Sequence, residues 1–163
     1  MIGIRQIRAG EEAVVLGVAE GLFDNPVRAD ETVAYLADPA NLLLLAFDGK
    51  TAVGMLTGTF LRHPDKPLSL FVNELGTREG WQRRGIATQM VQRAIAIARD
   101  RGARGVWLGT EEENAEAIAF YRAMGASELR GVFFGWDGAF DEDTEDDEED
   151  GDGSHVQTGG REA

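Results

Sequence analysis

At 163 residues, with 43% apolar and 8% aromatic positions, the chain is one domain's worth and can bury a single core of ordinary size. Cysteine is absent, which excludes disulfides, thiolate metal sites and cysteine nucleophiles; His63 and His155 lie far apart, so neither a histidine zinc site nor a charge-relay triad is expected, and no metal. The net charge of −13 is uneven, because residues 141–152 hold ten acids and no base while residues 1–140 hold 18 acids against 15 bases; so anionic a chain argues against nucleic acid.

In chain order, Ile2 to Arg8 alternates apolar and polar, a half-buried strand. Glu11 to Leu22 follows as a helix with Val14, Val15, Val18, Ala19 and Leu22 on one side, broken by Asp24-Asn25-Pro26. Asp30 is placed to cap a second helix, Glu31 to Ala37, stopped by Asp38-Pro39. Leu42 to Phe47, then Asp48-Gly49-Lys50, then Thr51 to Leu61 reads as a hairpin, because Asp-Gly takes the positive φ of a tight turn. After the loop His63 to Pro67 come a strand, Leu68 to Gly76, and a long helical pattern up to Arg101, with Gly102 as its C-terminal stop. Val106 to Thr110 is a strand, Asn114 to Met124 a helix closed by Gly125, and Leu129 to Trp136 a last β segment.

The order βααβββαβαβ predicts an α/β (α+β) fold with a mixed, mostly antiparallel central sheet and helices on both faces: short turns make the three middle strands antiparallel, and the later helices are crossovers that permit parallel pairing. The domain is expected over 1–140. Residues 141–163 hold only two apolar residues, Val156 and the small Ala163, which predicts a disordered acidic tail, either a solubiliser or a lure for a cationic ligand or basic partner. The longest apolar run, Leu42 to Phe47, is strand-sized, so no membrane span is expected; the N-terminus lacks the layout of a signal peptide, and a cytoplasmic location follows.

Chemistry concentrates at Gln82-Arg83-Arg84-Gly85-Ile86-Ala87, between a strand and the long helix. Unpaired N–H groups at a helix start, the positive end of the macrodipole, two arginines and a glycine that lets an oxyanion approach read either as an anion site, suited to a pyrophosphate, or as a solvated basic turn. Neither standard nucleotide fingerprint matches: Lys50 and Lys66 are elsewhere, and this stretch has one glycine.

The stretch nevertheless resembles the acetyl-CoA signature of the GNAT superfamily of N-acetyltransferases, in which Gln or Arg is followed by two residues, Gly, one residue, and Gly or Ala. A second signature of that superfamily is matched by Asn114 and, seven residues on, Tyr121. The stretches Asn41 to Gly58, Glu74 to Thr88 and Ala117 to Gly125 are similar to the type I aminoglycoside (gentamicin) 3-N-acetyltransferases. The resemblance implies the GNAT fold from about Ile2 to Trp136, acetyl-CoA as acyl donor, direct attack by an amine in a ternary complex, a small cationic acceptor of the aminoglycoside class and a homodimer. It casts Glu74 as general base and Tyr121 as the proton donor to the CoA sulfur. The N–H near Leu75 or Gly76 would face the thioester carbonyl, with Thr77 close enough to join. Backbone amides of Arg83, Arg84, Gly85, Ile86, Ala87 and Thr88 would hold the pyrophosphate, flanked by Gln82 and Arg83. Asn114 would bond the pantetheine arm, cap its helix, or both. Glu111, Glu112 and Glu113 follow a strand at the expected acceptor mouth and read either as ammonium ligands or as a solvated acidic turn, with Asp24 a further carboxylate on the opposite wall. The alternatives are a GNAT enzyme for another small amine or a protein N-terminus, and a non-enzymatic binding module that uses the acidic tail.

Overall fold

A computed structural model of the chain describes residues 1–132 and 134. Two units separate, Met1–Ser127 and Glu128–Ala163. The first contains β1 (Ile2–Ile7), α1 (Glu12–Leu16), α2 (Ala29–Ala37), β2 (Asn41–Asp48), β3 (Thr51–Leu61), β4 (Ser69–Thr77), α3 (Ile86–Asp100), β5 (Gly105–Trp107) and α4 (Ala115–Ala123). The strands form one sheet in the order β1-β2-β3-β4-β5; β4 and β5 are parallel and every other pair antiparallel. This is the mixed α/β sheet that the element order predicts.

The unbroken apolar run of β2 has a simple cause: the strand is covered on both faces. Leu42, Leu44 and Ala46 enter the core that holds Ile86, Met90 and Ala94 of α3, whereas Leu43 and Leu45 enter a second core with Val15 of α1 and Leu22. The hairpin turn forms where Asp48-Gly49 places it, with Gly49 at φ +61°. On β3, Gly54 lets α3 come close, since a Cβ there would meet Ile86 Cγ2 at 2.9 Å and Met90 Sδ at 3.1 Å. That contact seats the first turn of α3 on the middle of the sheet.

Four local expectations change. The first helix stops at Leu16, because Gly17 caps it and Gly21 takes φ +83°; Leu22 is buried from an irregular segment instead. Asp30 lies inside the first turn of α2, whose N-cap is Arg28. Arg101 caps α3, and Gly102 follows it at φ +79°. The fifth strand is three residues long and ends at Trp107, short of Thr110. In the second unit, residues 129–132 and 134 form no strand, so the last expected β segment is not seen there; the rest of that segment and the acidic tail lie outside the described residues. No helix among the described residues is long and apolar enough to cross a membrane, and no group of acids and histidines among them could hold a metal ion.

Candidate active site

β4 pairs with β3 in one register from Ser69 to Val72 and in another from Glu74 to Thr77, leaving Asn73 as the extra residue of a β-bulge. Gly58 sits opposite, and a Cβ there would come within 3.0 Å of the Phe71 carbonyl and 3.1 Å of Leu70 Cδ1. The bulge brings two consecutive side chains, Asn73 and Glu74, to one cleft of about 390 Å³ between β3–β4 and the wall of α2 with the segment before it. Asp24 and Glu31 line the same cleft, and its carboxylates outnumber Arg28, which is turned to Asp30 at 2.7 Å and Glu31 at 4.0 Å. Thr57, buried and directly across from Glu74, donates its hydroxyl to Glu74 Oε2 at 3.5 Å. Tyr35 closes the floor by donating to the Leu42 and Gly58 carbonyls at 2.9 and 3.2 Å. Burial pushes its phenol up to about 12; the charge of Glu74 adds to the rise, against the two carbonyl contacts.

The end of β4 leads to the second half of the site. β5 pairs only with Ser69 to Phe71, and the ladder stops just before the bulge re-aims β4. Beyond Phe71, the edge of β4 carrying Leu75, Gly76 and Thr77 has no strand partner on that side among the described residues. Thr77 Oγ1 is buried with no hydrogen-bond partner among them. The turn that follows is tied down at both ends. Arg78 N donates to the Val53 carbonyl at 2.9 Å, its guanidinium donates to the Ala19 and Glu20 carbonyls at 2.7 and 2.9 Å, and Trp81 Nε1 donates to Asp48 Oδ2 at 3.1 Å. Arg84 lies over the Trp81 ring, 5.9 Å from its centroid, and Gln82 Nε2 donates to the Thr77 carbonyl at 3.4 Å.

Arg83 and Gly85 both adopt left-handed backbone, φ 59° and 72°. For arginine this costs on the order of 1 kcal/mol, and turns of this kind point N–H groups into a concavity. α3 then begins with no side-chain cap and no acidic residue in its first turn; its first main-chain bond runs from Gln89 N to the Gly85 carbonyl. The N–H groups of Ile86, Ala87 and Thr88 therefore precede any intrahelical acceptor.

α4 meets this turn through Arg83 and Glu116, 3.8 Å apart and both exposed, a weak pair that still marks proximity. Asn114 is the N-cap of α4, accepting from Ala117 N at 3.0 Å through Oδ1, which leaves its Nδ2 donors for a ligand. Tyr121 is half-buried one face along, in edge contact with Phe120, and burial raises its phenol above the ordinary tyrosine value.

The sequence profile of the acetyltransferase (GNAT) family matches residues 10–126. The chain belongs to that family. An uncharacterized N-acetyltransferase of Mycobacterium bovis is 32% identical over 91 residues, 56% of this chain and 56% of that protein. The mycothiol acetyltransferase of Beutenbergia cavernae is 37% identical over 105 residues, 64% of this chain and 33% of that protein. The chain thus spans about half of the first relative and a third of the second. Among solved structures, an aminoglycoside acetyltransferase from an uncultured soil metagenomic sample, in complex with sisomicin, superposes with a TM-score of 0.72 over 83% of this chain and 95% of that one. At 18% identity that likeness is one of fold.

GNAT acetyltransferases use acetyl-CoA. Two features of this chain fit such a ligand: the uncapped, acid-free start of α3 suits a diphosphate, and the orphaned Thr77 hydroxyl at the open edge of β4 suits a polar ligand atom. The expected carboxylates divide. Asp24 and Glu74 share the cleft, whereas Glu111, Glu112 and Glu113 occupy an exposed turn before α4 and none of them lines it. Hydrogen bonds within that turn, Asn114 N to the Glu111 carbonyl and Ala115 N to the Glu113 carbonyl, suit it to starting the helix. Tyr35, Thr57, Asn73, Glu31 and Arg78 belong to no sequence motif. Asn73 alone left a local signal, an asparagine inside an apolar strand.

Proposed function

We propose that the protein is an acetyl-CoA-dependent N-acetyltransferase whose acceptor is a small polycationic amine of the aminoglycoside class, acetylated at its 3-amino group, and that the reaction confers resistance to such antibiotics. The observation that carries the reading is the placing of Glu74, Asp24 and Glu31 in one cleft beside the bulge of β4. A polycation loses hydration there and gains charge-assisted hydrogen bonds in return.

When bound, acetyl-CoA supplies the acetyl group as an activated thioester. The amides of Arg83 to Thr88 hold its diphosphate, Gln82 and Arg83 flank it, and Thr77 and Asn114 offer further hydrogen bonds. The main-chain N–H near Leu75 or Gly76 would face the carbonyl oxygen of the thioester as a hydrogen-bond donor. Glu74 receives the ammonium, takes its proton at a carboxylate oxygen and exposes the nitrogen lone pair. Tyr121 holds a proton at its phenol oxygen for the departing sulfur, a role that its burial supports by keeping the phenol neutral. The chain has no cysteine, and direct attack needs none.

Thiol release is the test, with gentamicin, spermidine and a peptide with a free N-terminus as acceptors and the acetylated position read by NMR. The proposal expects saturable release with gentamicin and a 3-N product. Release with spermidine or peptide alone replaces the acceptor, and silence on every aminoglycoside overturns it. Deleting residues 141–163 is expected to leave turnover nearly unchanged; loss of function with intact coenzyme affinity marks the tail as a binding module instead. Sedimentation of the full chain checks the expected homodimer.

A further inference from the structure

Asn73 takes no part in either apolar core, lies next to Glu74 and faces the same cleft. Its amide has two unlike ends, since Nδ2 only donates and Oδ1 only accepts. Which end meets which neighbour is set by a relay of side chains that crosses the sheet and ends on main chain. The Tyr35 carbonyl can only accept, so Asn41 turns its Nδ2 toward it, at 3.1 Å. The Asn41 Oδ1 that remains accepts from the Thr59 hydroxyl at 3.4 Å. With its proton so used, Thr59 Oγ1 accepts from Asn73 Nδ2 at 3.1 Å. The last free end of the chain is Asn73 Oδ1, which has no donor among the described residues.

From this relay we propose that Asn73 is an acceptor-binding residue. Its Oδ1, oriented by the relay in the cleft that Glu74 also lines, accepts a hydrogen bond from a second N–H or O–H donor of the amine that Glu74 holds. The proposal rests on the acceptor cleft assigned above and goes beyond it. Glu74 serves the reacting nitrogen, and Asn73 selects amines that carry another donor close to that nitrogen. The bulge is what makes a two-point contact available, since a regular strand would send residues 73 and 74 to opposite faces. Asn41 and Thr59 are positioning residues: they touch no acceptor and only orient the amide.

Calorimetry with gentamicin, on the full chain in the presence of coenzyme A, tests this. Asn73 is exposed, so Asn73→Ala is expected to fold, and to bind gentamicin about tenfold more weakly, the size of one hydrogen bond to a charged donor. Thr59→Val keeps the shape and removes the relay, and is expected to weaken binding about threefold with an unchanged melting temperature; Thr59→Ser is expected to restore it. Unchanged affinity in Asn73→Ala overturns the proposal, and unchanged affinity in Thr59→Val overturns the relay. If gentamicin binds with these dependences but no coenzyme A is released, the reading as an aminoglycoside acetyltransferase falls and the Asn73 site stands. If turnover is present and Asn73→Ala binds normally, the reverse holds. A wild-type chain that binds no gentamicin overturns both.

Discussion

Tyr121, Glu74 and Tyr35 each yield an expectation at the scale of the single residue. Tyr121→Phe removes the phenolic proton and leaves the ring contact with Phe120, so turnover is expected to fall on the order of tenfold to a hundredfold with little change in coenzyme affinity. Because burial raises the Tyr121 phenol, the wild-type rate is expected to hold past pH 10, where an ordinary tyrosine loses its proton, and to decline above that. A pH–rate profile shows this directly, and wild-type turnover in Tyr121→Phe removes the assignment. Glu74→Gln keeps the contact with Thr57 and removes the base; a loss of turnover of about a hundredfold or more at unchanged acetyl-CoA affinity is expected from stopped-turnover and binding measurements. For Tyr35, the folded chain favours the neutral phenol, with a pKa raised from 10.0 to about 12. The stability this contributes is complete below the unfolded pKa near 10 and is lost as pH rises through the folded value near 12. Tyr35→Phe is therefore expected to lose about 1 kcal/mol at neutral pH, through the two carbonyl contacts, and to show a flatter alkaline decline in denaturant titrations between pH 10 and 12.

At the scale of the element, α3 and β4 divide the work of the site. Gly85→Ala forces a Cβ into left-handed backbone at φ 72° and disturbs the start of α3; a severalfold rise in the acetyl-CoA KM is expected, at a stability cost of about 1 kcal/mol. Gly54→Val drives carbon into Ile86 and Met90 and is expected to destabilise by roughly 1–3 kcal/mol, read in urea. Elements whose signals are local were legible in the sequence. The strand β2, the Asp48-Gly49 turn, the amphipathic face of α3 and the Asn114 cap all follow from neighbours a few residues apart. α1 read too long because Val18 and Leu22 fall at helical spacing from Val14 and Val15, yet Gly17 ends the helix and Leu22 packs from a bend. β5 read too long because its length is set by a bulge thirty-odd residues away on β4, which its own residues do not encode. The same reason hid Thr57, Asn73 and Tyr35, whose neighbourhood depends on strand register and on where α2 lands. The turn from Gln82 to Ala87 was legible because one continuous segment carries it, whereas the wall of the cleft is assembled from five separate ones.

Over the molecule as a whole, charge is placed with some economy. Residues 1–140 carry only a slight acidic excess, yet Asp24, Glu31 and Glu74 gather at one cleft while Arg78, Arg83 and Arg84 gather at the turn before α3. Raising the ionic strength should therefore weaken a polycationic acceptor and the coenzyme diphosphate alike, and titrations at two salt concentrations measure it. Arg78 adds a mechanical tie. Its main chain belongs to the turn before α3, and its guanidinium holds the Ala19 and Glu20 carbonyls, just ahead of the cleft wall that carries Asp24. Ordering either end thus limits the freedom of the other, and each ligand should tighten its companion by the same factor, as thermodynamic reciprocity requires. On the proposed function, a single guanidinium would make the enzyme's two appetites interdependent: the amine would be greeted more warmly once the thioester is aboard, and shortening that arm to lysine would let the two arrive as strangers.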